Sequence, residues 1–73
     1  MLSRGIYNRD GEQVCILDGT RILTIEGDVI GELRGHIVYD RDGERHWVIE
    51  GDALLDLRGN NIGYLGEPAR EDR

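Results

Sequence analysis

Apolar residues in this chain fall in short runs, and each run is closed by a polar break that carries glycine. Gly11, Gly19, Gly27, Gly35, Gly43, Gly51 and Gly59 stand eight residues apart in one unbroken series. β-Branched and aliphatic residues between such glycines read as strand, turn, strand, turn, because glycine supplies the positive φ that tight turns need. Eight strands are predicted, at 4–8, 12–17, 21–25, 28–33, 36–40, 44–49, 53–57 and 60–65. No stretch keeps a helical period free of glycine, so no helix is predicted. Asp10-Gly11 and Asp42-Gly43 sit in Arg-Asp-Gly-Glu frames between strand-like residues, which predicts two-residue hairpin turns. Glu26-Gly27-Asp28 and Arg58-Gly59-Asn60-Asn61 hold the same places further on, while Gly19, Gly35 and Gly51 mark the turns at the other end.

The pattern is a repeat within a repeat. Residues 6–33 laid over 38–65, a shift of 32 without gaps, match at Tyr7/Tyr39, Arg9/Arg41, Asp10/Asp42, Glu12/Glu44, Ile30/Ile62 and Leu33/Leu65 as well as at glycines. Each half divides again at a shift of 16, giving units that begin near Ile6, Ile22, Val38 and Leu54. A position repeated in every unit faces the same surroundings, so wholly apolar columns mark the core. Ile6, Ile22, Val38 and Leu54 form one such column, Leu17, Leu33, Ile49 and Leu65 another, and Tyr7, Leu23, Tyr39 and Leu55 a third. Val14, Ile30, His46 and Ile62 make a fourth, broken by the histidine. Between Val14 and Leu17 strict alternation fails, which predicts strands covered on both faces or bent at a bulge. Gly31 and Gly63 would let backbones approach closely, whereas Cys15 and Trp47 fill the equivalent places, a two-fold filling of the centre. The expected fold is all-β: four consecutive hairpins of sixteen residues with pseudo-four-fold, 2 × 32-residue, internal symmetry and no helix. It occupies residues 1–66 as one domain, followed by a disordered tail at 67–73.

Four such hairpins, with the Tyr39-Asp40-Arg41-Asp42-Gly43 turn and the Ile-Gly-x-Leu strands at 30–33 and 62–65, resemble the bacterial four-fold β-flower domains. In that family hairpins radiate as petals around a pseudo-four-fold axis. The resemblance covers residues 5–66 and implies a fold and a bacterial source, but no activity and no site residues. Tyr39–Gly43 is also similar to the YD repeat of large secreted toxin shells, although those repeats have longer periods and occur in very long chains.

Composition narrows the setting. A chain of 73 residues buries only about 60% of its unfolded surface, so its core is thin. Small chains compensate with disulfides, metals or partner subunits. Cys15 is the single cysteine and cannot pair within the chain, which makes a homo-oligomer the expected compensation. No apolar segment follows the first charged residues, so a reducing, cytoplasmic location is expected. The apolar runs are too short to span a bilayer, and no membrane partner is expected. Fifteen acidic residues face nine basic ones, all arginine, for a net charge of −6. The signs are interspersed without a basic stripe, which argues against a nucleic-acid partner.

Candidate chemistry is sparse. Asp40–Glu44, echoed by Asn8–Glu12, offers oxygen ligands around a glycine, but a calcium loop needs six to eight oxygens and a distant bidentate Glu. The segment reads as a turn, and neither metal nor cofactor is expected. His46 stands where three counterparts are aliphatic; it is either a partly buried structural histidine or a contact beside Trp47. Trp47 is either core or an anchor for a ligand or second subunit. Cys15 reads as a buried thiol, and Tyr7 and Tyr39 as covers at the hairpin bases. Trp47, His46, Tyr39, Tyr7 and Cys15 are therefore the candidate contact residues. The expected function is a non-enzymatic interaction or assembly module. The alternative is an enzyme or metal protein with a site assembled between subunits around His46 and Cys15.

Overall fold

Seven positive-φ glycines set the course of the chain, from +60° at Gly51 to +102° at Gly27, and they are the seven of the eight-residue series. The computed structural model describes residues 2–70. They form β1 (Leu2–Asn8), β2 (Gln13–Asp18), β3 (Arg21–Leu23), β4 (Val29–Arg34), β5 (Ile37–Asp40), β6 (Arg45–Glu50), β7 (Ala53–Leu55), β8 (Asn61–Leu65) and a short β9 (Ala69–Arg70). Each of the first seven pairs antiparallel with the next, and β1 pairs with β8 as well as β2, so these eight strands close into a barrel. Ladders therefore join every strand of the barrel to both of its neighbours. Among the described residues there is no helix, and so none long and apolar enough to cross a membrane.

The turns alternate in kind. Gly19-Thr20, Gly35-His36 and Gly51-Asp52 are two-residue loops, closed by the pairs Asp18↔Arg21, Arg34↔Ile37 and Glu50↔Ala53. The opposite end departs from the two-residue turns expected at Asp10-Gly11 and Asp42-Gly43. There the amide of Asn8 donates to Glu12 O (2.9 Å) and that of Gly11 to Asn8 O (3.0 Å), which encloses three loop residues with glycine last. Such a loop is a four-residue turn followed by a glycine bulge. The same two bonds recur from Thr24 to Asp28, Asp40 to Glu44 and Asp56 to Asn60. Their cause is the residue just before each loop. Asn8 Oδ1 accepts from the amides of Asp10 and Glu12, Asp40 Oδ1 from Asp42 and Glu44, and Asp56 Oδ1 from Arg58 and Asn60. Thr24 Oγ1 accepts from Asp28. A short oxygen-bearing side chain here satisfies loop amides that no strand can reach. Because Thr24 and Asp56 are committed to closing the loops, β3 and β7 end two residues earlier than the sequence suggests.

Just inside these loops every hairpin slips register. Ile6 faces Cys15 but Tyr7 faces Gln13; the shift repeats at Ile22/Leu23, Val38/Tyr39 and Leu54/Leu55. The unpaired extra residues are Val14, Ile30, His46 and Ile62, which is why alternation fails there.

The core holds Ile6, Ile22, Val38 and Leu54, all at most 2% exposed, with Cys15, Leu17, Ile49 and Leu65 around them. Each aliphatic side chain so buried contributes roughly 1.5–3 kcal/mol. Leu33 packs against this group, half-buried. Where the last strand meets the first, Gly66 donates to Gly5 O, Arg4 Nε donates to Gly66 O (2.7 Å), and the Arg4 guanidinium pairs with Asp52 (2.5 Å). Within the segment expected to be a loose tail, Ala69–Arg70 pairs with Leu2–Ser3; residues 71–73 lie outside the described residues.

Candidate functional site

The register slip in β6 lifts His46 out of the ladder and leaves it exposed, with its ring 5.0 Å from Trp47 at 62°, edge to face. Trp47 faces Val38 across the β5–β6 ladder and is half-buried against the core. Two strands away Gly31 faces Ile22 and carries no side chain to meet the indole. A Cβ at Gly31 would run into the carbonyl oxygen of Tyr39, so the close approach of β4 and β5 requires glycine. A bulky residue on one strand and a missing side chain on another leave an open cleft of about 80 Å³. Apolar Ile22, Ile30, Gly31 and Val38 line it together with Trp47, His46, Tyr39 and Asp40. A more polar groove of about 250 Å³ shares Gly31 and Asp40 and continues past Glu32, Arg34 and Arg41.

Polar groups around the cleft are largely committed. Asp40 Oδ1 holds the loop amides at 2.9 and 3.0 Å. The Tyr39 ring lies 5.1 Å under the Arg34 guanidinium, which also reaches Glu32 at 3.3 Å. What remains is an apolar notch beside an indole, of a size for a small apolar group.

Of the five candidate residues, the structure brings Trp47, His46 and Tyr39 to this cleft. Tyr7 instead stacks on Tyr64, centroids 5.2 Å apart at 10°, on the ladder that closes the barrel. Cys15 is in the core, and burial pushes its thiol above the usual range. Of the two readings of His46, the partly buried structural one does not hold: its column is the bulge column, its ring is exposed, and Val14 in the same place is 40% exposed. His36, the other histidine, lies in a two-residue turn with Nδ1 3.2 Å from Ile49 O. Among the described residues no three His, Cys, Asp or Glu side chains converge as a metal site would require.

Sequence reasoning did not single out Asp40, Ile22 or Ile30 as cleft residues; the failed alternation before Leu17, repeated in each unit, was the signal that pointed to the bulges. It also passed over Ile25 and Leu57, which stand at the first loop position where the other units have Arg9 and Arg41, and are 52% and 55% exposed.

Comparison with known family models, with curated proteins and with solved structures yields no match to this chain. The structure by itself defines a small, closed, antiparallel β-barrel built from repeated turns.

Proposed function

We propose that this chain is a non-enzymatic protein-interaction module whose contact surface centres on the cleft between Trp47 and Gly31. The observation that carries this reading is the break in the repeat. One column holds Cys15, Gly31, Trp47 and Gly63, and its one aromatic member is the chain's single tryptophan, set in the wall of an open apolar cleft. Aromatic side chains in part-open apolar settings dominate contact energetics. In the same reading the four units are disposed about a common axis, as the likeness to β-flower domains implies, and the free cysteine suits a reducing compartment. The barrel closes its own edges, so self-association is not needed to complete the sheet. An enzyme assembled between subunits would have to draw Cys15 out of the core, which weighs against that alternative.

A photo-reactive side chain placed at His46 tests the proposal in cells. A discrete cross-linked adduct is expected from position 46 and none from Thr20 at the other end of the barrel. Equal, diffuse labelling from both positions would overturn it.

A further inference from the structure

In an antiparallel meander, alternate loops lie at the same end, so the four three-residue loops form one rim of the barrel. Taken with the residues that close them, 8–12, 24–28, 40–44 and 56–60, these loops carry eight acidic side chains against three arginines. The whole chain is −6 and this rim accounts for −5 of it; counting Arg45 at the foot of the third loop leaves −4. The same rim exposes apolar side chains: Ile25 and Leu57 at loop tips, and Val29 just below, 42% exposed. The cleft opens beside it, because His46 and Ile30 are the bulge residues next to the loops and Asp40 closes one of them.

Resting on the module reading above, we infer that this rim docks a basic polypeptide segment whose apolar side chain enters the cleft against Trp47. Charge complementarity selects the occupant. An acidic field of this kind draws in and orients cationic segments and repels anionic surfaces. A second copy of the chain is itself net negative, −6, and two such rims would repel. A lipid surface bearing negative charge is repelled in the same way. The cleft supplies what charge alone lacks, a requirement for one apolar group of limited size.

Trp47, the sole tryptophan, reports occupancy directly. Three short capped peptides serve as probes: alternating arginine and leucine, the same with glutamate for arginine, and the same with glycine for leucine. The arginine–leucine peptide is expected to shift Trp47 emission saturably. Raising salt to about 1 M shrinks the Debye length to about 3 Å and is expected to weaken it about tenfold or more. The variant E26Q/D42N/E44Q, whose changed side chains lie exposed on the rim, is expected to lose a similar factor while melting as the parent does. The glutamate and glycine peptides are expected to bind far more weakly. The inference is overturned if the glutamate peptide binds as well, if the triple variant binds unchanged, if no peptide moves Trp47, or if emission responds instead to anionic vesicles or to the protein's own concentration. A position-46 adduct in cells with an inert arginine–leucine peptide would sink the basic partner and leave the module reading standing; loss of both would sink both.

Discussion

Replacing Gly31 by alanine tests the barrel wall and the cleft together, and Gly43→Ala is its control. At Gly43 the backbone has φ +85° and nothing lies within 4 Å of an added Cβ, so alanine there meets only the left-handed conformation. That costs about 1–2 kcal/mol. At Gly31 the backbone is ordinary, and the cost is steric: the Cβ overlaps the Tyr39 carbonyl oxygen, a backbone atom that cannot rotate aside. Overfilling a packed interior costs about 1–3 kcal/mol when side chains can yield, and a rigid obstacle places Gly31→Ala at or above the top of that range. A 73-residue domain holds about 4–11 kcal/mol in all, so the control stays folded while Gly31→Ala loses much of its margin. Urea unfolding followed by Trp47 fluorescence measures both. The midpoint should fall further for Gly31→Ala, with the slope unchanged in each. A Gly43→Ala loss equal to or larger than that of Gly31→Ala would refute the close-approach argument. Gly63→Ala should behave as Gly31→Ala does, since its Cβ meets the Tyr7 carbonyl oxygen at the closing ladder.

Ile22→Ala, at 1% exposure, should cost about 2–5 kcal/mol, and Ile25→Ala, at 52%, should stay within about 0.5 kcal/mol; similar losses in urea would contradict the core assignment. Asp56 is held below the usual carboxylate range chiefly by the backbone amide of Asn60, aided by the Asn60 side chain and by Arg58. A lowered folded pKa gives stability that is present above the unfolded value, about 3.9, and lost as pH falls through the folded one. Asp56→Asn keeps the loop acceptor, as Asn8 does in the first unit, and should flatten that part of the acid limb; superimposable acid titrations of stability would refute this. Cys15 has a raised folded pKa, so its contribution is complete below about 8.5 and lost as pH rises through the folded value. Cys15→Ala should therefore lose less stability in alkali than the parent, and the native thiol should react with a disulfide reagent only on unfolding; rapid labelling of folded protein would count against its burial.

The eight-residue glycine series was legible because each member does the same local job, and all seven adopt positive φ. Two core columns were legible for a related reason: Ile6, Ile22, Val38 and Leu54 meet one environment four times. The loop type was misread because Asp-Gly is a strong signal for a two-residue turn. The deciding residue stands three before the glycine, as Asn8, Thr24, Asp40 or Asp56, and acts through side-chain acceptors that pattern reading does not weigh. The pattern left His46 between core and contact because a column aliphatic in three units resembles core, whereas a bulge also repeats and carries exposed aliphatics such as Val14. Closure was out of reach: the pairs Ile6↔Leu65 and Tyr7↔Tyr64 join opposite ends of the chain, and no local pattern encodes them. The cleft likewise depends on Gly31 and Trp47 being brought together across intervening strands.

The cleft lies where the fold is least demanding of side-chain identity. A bulge residue has no cross-strand partner, so the third unit can hold His46 where the others hold Val14, Ile30 and Ile62 without disturbing a ladder. Trp47 in the next place needs room, and the bare Gly31 facing the same cleft provides it. His46→Val, which restores the residue of the first unit, should therefore leave stability within about 0.5 kcal/mol of the parent, as expected of an exposed position away from caps and core. It removes the ring that meets the indole edge to face at 5.0 Å, so Trp47 emission and the affinity for the arginine–leucine peptide should both change. A large fall in stability would mean that the bulge depends on the imidazole. Unchanged emission and affinity would mean that His46 is no part of the contact surface, and that the break in the repeat at this position carries no function.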